Sequence, residues 1–102
     1  MPQTPPVLTA DELHDRLAAL PGWEGDRESV RRTVQAPDFP SAVRVVDEVA
    51  VAAERMNHHP DIDIRWRAVT FVLSTHSAGG VTDLDIELAG RISAIAASHS
   101  AV

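Results

Sequence analysis

The sequence contains no cysteine, lysine or tyrosine among its 102 residues. Without cysteine the chain can form no disulfide, thiolate nucleophile or cysteine metal site. Without lysine it can form no Schiff base, and without tyrosine it has no phenol that could act as an acid. Proton transfer is therefore left to the five histidines and the carboxylates. Ser, Thr, Asp and Glu are the only candidate nucleophiles.

Positive charge and long apolar runs are also scarce. Nine arginines stand against fifteen acidic residues, which gives a formal net charge of −6. An acidic chain without a basic run would repel the phosphates of nucleic acids and anionic membranes, so neither is an expected partner. No apolar run approaches the roughly 20 residues needed to span a bilayer. The first residues also lack the pattern of a secretory signal, so we expect a cytoplasmic protein.

The length and the periodicity of the sequence predict one α+β domain. Residues 1–8 are rich in proline and are expected to form a flexible tail, followed by a single domain over residues 9–98 and a C-terminal tail over residues 99–102. The apolar patterns predict the order helix, two strands, helix, two strands, helix. A two-layer fold satisfies this order, with three helices packed on one face of an antiparallel four-stranded sheet.

Capping and turn residues predict the ends of these elements. Thr9 and Glu12 have the spacing of a capping box for the first helix. Asp38 is expected to cap a long helix from Phe39 to about Met56, and Gly79-Gly80 to form the turn before a last helix capped by Thr82. The expected inner stripe of the long helix is Phe39, Ala42 or Val43, Val46, Val49 or Ala50, Ala53 and Met56. The alternation of Ile62, Ile64 and Trp66 with charged residues predicts a half-buried strand.

Three of the five histidines fall at breaks in the predicted structure. His58 and His59 follow the long helix, and His76 ends the predicted central strand. Side chains at such positions leave the core and can face a cleft. His14 and His99 lie on helix surfaces and are expected to be solvated.

Two carboxylates lie near these breaks. Glu54 precedes His58 by four residues, a spacing that lets the two side chains meet on a helix, either to orient the imidazole or as an ordinary surface pair. Asp85 has the capping-box spacing with Thr82, so it could bond only the amides of its own helix. It would also lie beside the loop that carries His76, and both roles can coexist.

Metal and serine chemistry are alternative interpretations. His58, His59 and His76 could ligate zinc with Glu54 or Asp85 as a further ligand. Adjacent histidines usually diverge, however, and the helical histidine pair of zinc enzymes is missing, so we expect no metal. A Ser-His-Asp triad through Ser74 or Ser77 has little support, because neither serine lies in a G-x-S-x-G turn.

The segment Glu54-Arg-Met-Asn-His-His-Pro-Asp61 is followed by Leu73-Ser-Thr-His76, Gly79-Gly80, Thr82 and Asp85. In this order and at these separations, the segments resemble the pterin-4a-carbinolamine dehydratase family. The earlier Leu20-Pro-Gly-Trp23 is similar to the family's entry into the first strand. The resemblance covers about residues 9–97 and implies the same α+β fold, assembled into homodimers or homotetramers.

The resemblance also implies an activity, the dehydration of 4a-hydroxytetrahydropterin to quinonoid dihydropterin, in recycling for an aromatic amino-acid hydroxylase. The pterin is the substrate, and no cofactor is expected. His58 and His76 would form the acid/base pair, and His59 would contact the pterin. The resemblance implies orienting or binding roles for Glu54 and Asp85, and pocket or nearby core positions for Trp23 and Trp66. Ile62 stands where some members carry an aromatic residue, which removes one stacking contact.

A binding or assembly protein on the same fold is the main rival interpretation. A chain that had lost the chemistry would be expected to have replaced at least one of His58, His59 and His76, and all three are present.

Overall fold

The computed structural model describes residues 4–102 and shows the predicted order of helices and strands. The elements are α1 (Ala10–Ala18), β1 (Glu24–Gly25), β2 (Val30–Gln35), α2 (Phe39–Met56), β3 (Asp61–Arg65), β4 (Ala68–Leu73) and α3 (Asp83–Ser98). Within these residues, none of the helices combines the length and the apolar character that crossing a bilayer requires.

The strands form one antiparallel sheet in the order β1-β2-β4-β3. Two strands, β2 and β4, are inner strands, and β4 is the more apolar of them. It places Val69, Phe71 and Leu73 on the face covered by the helices, each 0% exposed. The other face carries polar residues such as Thr33 and Thr70, whose hydroxyls lie 2.7 Å apart. The predicted α+β architecture, with one face of the sheet covered by helices, is therefore confirmed.

The buried face of α2 differs from the predicted stripe. Val45 and Ala52 are buried, whereas Phe39 is 50% exposed and Val46 and Met56 are only partly buried. Small apolar residues occur almost all the way around this helix, so the sequence is compatible with more than one rotation about the helix axis. Packing against the sheet and α3 selects the rotation.

The strand predicted to be half-buried is more exposed than expected. Ile62 and Ile64 lie on the helix side of β3 but are 37% and 38% exposed, because β3 is an edge strand. Trp66 lies outside the strand, in the two-residue turn to β4, with φ 55° and 73% exposure. The alternating pattern alone does not distinguish an edge strand from an inner one.

Both segments expected to be tails contain residues that pack against the domain. The Leu8 side chain is 4% exposed, and its N–H donates to the Val81 carbonyl at 2.9 Å. At the other end Ala101 is 2% exposed, and the Val102 N–H donates to the Gln35 carbonyl at 3.0 Å. The structured part therefore extends beyond residues 9–98, while residues 1–3 of the expected N-terminal tail lie outside the described residues.

The predicted N-terminal caps of the first two helices are present. The Thr9 N–H donates to the Glu12 carboxylate at 2.9 Å, and this bond lowers the pKa of Glu12 below its ordinary value of 4.5. At α2, hydrogen bonds from the side chain and the backbone N–H of Ser41 hold the pKa of Asp38 below 3.8. Both carboxylates therefore stabilise their helices best when they are ionised.

We expect the double variant Glu12→Gln, Asp38→Asn to have a lower Tm than the parent chain at pH 7, and this difference to vanish in acid. Because both folded pKa values are lowered, the stabilisation is present above the ordinary values and is lost as pH falls through the folded ones. Thermal unfolding followed by circular dichroism from pH 7 to about pH 2 measures the effect. A constant difference across that range would contradict this assignment.

Candidate active site

The end of α2 places His58 inside the fold. Asn57, the residue after the helix, adopts a left-handed conformation with φ 49° and ψ 42°, a conformation that Asn tolerates better than most residues. The next N–H, that of His58, donates back to the Ala53 carbonyl at 3.0 Å. After this reversal of the chain, the side chain of His58 is only 10% exposed.

The buried imidazole pairs with a buried carboxylate. Nε2 of His58 lies 2.5 Å from Oδ1 of Asp85, a residue of α3 that is 0% exposed. The second oxygen of Asp85, Oδ2, accepts hydrogen bonds from the Thr82 N–H at 2.9 Å and from the Thr75 hydroxyl at 2.8 Å. Asp85 thus caps its own helix, as its spacing from Thr82 predicted, and also pairs with His58, a contact that the sequence did not predict.

Glu54 contacts the other histidine of the pair. Its Oε2 lies 2.8 Å from Nε2 of His59, and the two side chains are 80% and 59% exposed. The contact expected between Glu54 and His58 is absent, because the helix ends at Met56 and the left-handed Asn57 breaks the four-residue periodicity. A pair this exposed contributes little to stability.

His76 lies in the turn that follows β4 and is exposed. The turn is closed by Thr75, whose N–H donates to the Gly80 carbonyl at 3.0 Å. It also requires the predicted glycines: Gly79 has φ +81°, and a Cβ on Gly80 would lie 2.5 Å from the Arg27 carbonyl oxygen. Through Thr75, which bonds Asp85, this turn is joined to the His58–Asp85 pair.

A pocket of about 370 Å³ opens beside the pair. Its lining comprises Thr4, Pro5, Met56, Asn57, His58, Thr75, Ser77 and Leu84. Of the three candidate histidines this lining contains His58, whereas His76 lies between two lining residues and His59 lies on the exposed surface. A hollow of about 460 Å³ on α2 is larger, but it is an open helix surface around Val51 without a histidine. We therefore regard the smaller pocket as the candidate site.

The N-terminal segment is a part of this site that the sequence did not indicate. Thr4 and Pro5 form one wall of the pocket, and the Thr4 hydroxyl lies 3.2 Å from that of Ser77. The segment is anchored by Leu8, whose carbonyl accepts a hydrogen bond from Nε of Arg27 at 2.8 Å. Its only sequence signal was one large apolar residue at the end of a proline-rich stretch.

Neither tryptophan is among the residues that line this pocket, and Trp23 takes the core position that was the alternative for it. Trp23 is a core residue, 5% exposed, and its Nε1 donates to the Ser93 hydroxyl at 2.9 Å. Trp66 lies beyond the far end of β3 from His59, a strand of five residues that spans about 16 Å. Arg67 stacks on its ring with 5.2 Å from guanidinium to ring centroid. Trp66 does not join His58 within one chain, because the strand separates them.

The remaining histidines belong to the helix surfaces. His14 is exposed on α1. His99 pairs with Glu48 of α2, so it connects two helices instead of being fully solvated as expected. Among residues 4–102, no three His, Asp or Glu side chains are grouped in a way that could hold a metal ion.

Comparison with known proteins gives one consistent family. The family pattern described as Pterin 4 alpha carbinolamine dehydratase matches residues 6–95. A relative in Nocardia farcinica named as a pterin-4-alpha-carbinolamine dehydratase is 54% identical over 93 residues, 91% of this chain and 98% of the relative. A relative of the same name in Roseiflexus castenholzii is 51% identical over 89 residues, 87% of this chain and 96% of the relative.

Solved structures show the same fold. A transcriptional coactivator/pterin dehydratase from Brucella melitensis has a TM-score of 0.84 and 38% identity over 87% of this chain and 97% of its own. A pterin dehydratase-like RuBisCO assembly factor of the alpha-carboxysome shares the fold alone. Its TM-score is 0.60, with 19% identity over 72% of this chain and 86% of its own. By sequence and by structure, the chain belongs to the pterin-4-alpha-carbinolamine dehydratase family.

Proposed function

We propose that this protein is a hydro-lyase that dehydrates a 4a-hydroxytetrahydropterin to quinonoid dihydropterin and water. The observation that carries the proposal is a nearly buried histidine, His58, paired with a fully buried carboxylate, Asp85, at the wall of a small pocket. The pairing arises at the family's sequence motif, and family membership supports the reaction. The product would serve pterin recycling beside an aromatic amino-acid hydroxylase.

The reaction requires two proton transfers. The C4a–O bond breaks as the departing hydroxyl receives a proton and leaves as water. The N5–H proton is lost, and its electron pair forms the C4a=N5 double bond. Imidazole titrates near neutral pH and can act as either the acid or the base, so histidine side chains suffice for both transfers.

Asp85 determines which nitrogen of His58 is available. As a carboxylate, Asp85 accepts the Nε2–H of His58, so in the neutral ring Nδ1 carries the lone pair. No side chain among residues 4–102 forms a hydrogen bond with Nδ1. In the proposed mechanism Nδ1 therefore exchanges the proton with the substrate, while Asp85 orients the ring through Nε2.

The other family positions surround this pair. Family membership supports His76 as the partner in proton transfer, and His76 lies in an exposed turn between Thr75 and Ser77, which line the pocket. His59 would contact the pterin from the exposed surface beside the pocket, with Glu54 orienting its ring at 2.8 Å. This assignment leaves Trp23 in the core and gives Trp66 no contact with substrate bound in the same chain.

The proposal is tested by a dehydratase assay on the purified protein, with 4a-hydroxytetrahydropterin generated by a hydroxylase during turnover. We expect the protein to accelerate formation of quinonoid dihydropterin well above the spontaneous rate. A rate equal to the spontaneous one with several pterins would reject the enzymatic function and favour a binding or assembly role.

We also propose that the protein forms homodimers or homotetramers. Large apolar side chains remain exposed on α2, at Phe39, Val43 and Val51, and on the edge strand β3, at Ile62 and Ile64. An edge strand with free backbone groups readily pairs with another copy.

Sedimentation equilibrium should give at least twice the chain mass of 11.0 kDa. The double variant Ile62→Lys, Ile64→Lys or the variant Val51→Glu should reduce that mass, and a monomeric parent protein would contradict the proposal.

A further inference from the structure

A pair of buried threonine hydroxyls lies behind the His58–Asp85 pair. Oγ1 of Thr75 is 2.8 Å from Oγ1 of Thr82, and both residues are buried, at 3% and 0% exposure. The Thr75 hydroxyl also donates to Oδ2 of Asp85 at 2.8 Å. No buried side-chain nitrogen or oxygen among residues 4–102 lacks a hydrogen-bond partner, so the network is complete.

We propose that Thr75 is a positioning residue for the dehydration, which acts through Asp85 to hold His58 with its proton on Nε2 and its Nδ1 free. The proposal rests on the function proposed above. Thr75 lines the pocket, but the proton of its hydroxyl is given to the Asp85 carboxylate, so its proposed role runs through Asp85.

The direction of each hydrogen bond in the network follows from counting protons. A threonine hydroxyl has a single proton, and that of Thr75 is given to Asp85. Thr82 must therefore donate its own proton to Thr75, and its oxygen accepts from the Leu84 N–H at 3.2 Å. The chain of donors from Leu84 through Thr82 and Thr75 thus ends at Asp85 Oδ2.

An ionised Asp85 requires a donor at its remaining oxygen. Oδ2 already accepts two hydrogen bonds, and Oδ1 faces Nε2 of His58. An ionised carboxylate can only accept, so Nε2 must carry the proton. If the Thr75 hydroxyl is removed, one donor to Oδ2 is lost, and both the orientation of the carboxylate and the preference for the Nε2–H tautomer weaken.

The two threonines belong to separate elements, so the hydrogen bond between them fixes one element relative to the other. Thr75 follows β4 and forms an isolated bridge with Gly80, and Thr82 is the N-cap of α3. Their hydroxyls join the turn that carries His76 to the helix that carries Asp85. At metal sites, removing a group that orients a ligand by a hydrogen bond typically costs about 10- to 100-fold in affinity or activity, and we expect an effect of this order for Thr75.

The test compares Thr75→Val, which removes the hydroxyl at nearly constant volume, with Thr75→Ser, which keeps it. Thr70→Val is the matched control. It removes a hydroxyl that lies 2.7 Å from the Thr33 hydroxyl, in a similar threonine pair on the opposite face of the sheet. The readouts are kcat and KM for 4a-hydroxytetrahydropterin, and the imidazole ¹⁵N shifts of His58 in histidine-labelled protein, assigned with His58→Gln. All measurements are made well below each variant's Tm.

In the parent protein we expect His58 to show the imidazole ¹⁵N chemical shifts of the Nε2–H tautomer. Thr75→Val should lower kcat at least about tenfold with KM within about twofold, and should populate the Nδ1–H tautomer. Thr75→Ser should restore kcat to within about twofold, and Thr70→Val should behave like the parent. An Nδ1–H tautomer in the parent, or a Thr75→Val variant with unchanged shifts and kcat, would overturn the proposal. So would equal losses in the Val and Ser variants, which indicate a packing role.

The two proposals fail separately. If the parent protein shows no dehydratase turnover, the proposed function is rejected. The ¹⁵N shifts still decide the positioning claim, because they need no substrate. A tautomer change in Thr75→Val supports it, and unchanged shifts reject it.

Discussion

The double variant His58→Ala, His76→Ala is expected to lose dehydratase activity by at least about 10³-fold, to near the spontaneous rate. General acid and base catalysis by a positioned side chain contributes about 10²- to 10⁴-fold, and this variant removes both proposed proton-transfer groups. The loss should appear mainly in kcat, measured with saturating 4a-hydroxytetrahydropterin. His58→Ala alone should account for most of it, because His58 has a buried orienting carboxylate and His76 lies in an exposed turn.

The loss must be separated from unfolding. Removing the His58 ring leaves Asp85 buried without one of its donors, which costs stability as well as activity. The variant His58→Gln, which keeps an N–H donor, and a circular dichroism spectrum of each variant address this. His14→Gln, on the exposed surface of α1, is the matched control and should retain parent activity. A folded double variant with turnover within tenfold of the parent would reject both role assignments.

The largest effect on stability is expected for Phe71→Ala, at about 3–5 kcal/mol. Phe71 lies in the middle of β4, between β2 and β3, and is 0% exposed. Truncating its ring removes apolar contacts and leaves a cavity that the sheet cannot close. Since a domain of this size has only about 5–15 kcal/mol of net stability, the variant should be close to unfolding at 37 °C.

Urea unfolding at 25 °C measures this change, and the chain provides its own control. The only other phenylalanine, Phe39, is 50% exposed at the start of α2, so Phe39→Ala removes the same atoms from a surface position. We expect that control to cost less than about 1 kcal/mol. Equal losses in the two variants would contradict the placement of Phe71 in the core.

Local signals in the sequence predicted most of the fold. The capping residues Thr9, Asp38 and Thr82 marked the starts of the three helices, and each forms the predicted cap. Such signals are reliable because they involve hydrogen bonds between residues two to three positions apart. The stretch from Val69 to Thr75 is apolar and β-branched more uniformly than the other strand segments, which predicts a central strand, and it contains most of β4.

Orientation within those elements was predicted less well. The burial of Val45 instead of Val46 depends on how α2 rotates against the sheet, and the exposure of Ile62 depends on β3 being an edge. The inward packing of Leu8 accompanies a backbone hydrogen bond to Val81, which is distant in sequence. These features are set by neighbours that no local pattern identifies.

The sequence by itself determined the family, the order of the elements and the residue types available for proton transfer, because these depend on residue identity and short-range spacing. The tertiary structure decided the pairing of the site residues. It joined His58 to Asp85 rather than Glu54, and it brought Thr75 behind that carboxylate. Asn57 adopts a left-handed conformation that ends α2 before His58, and the His58 side chain is nearly buried. There it pairs with Asp85, which is distant in sequence, instead of with Glu54.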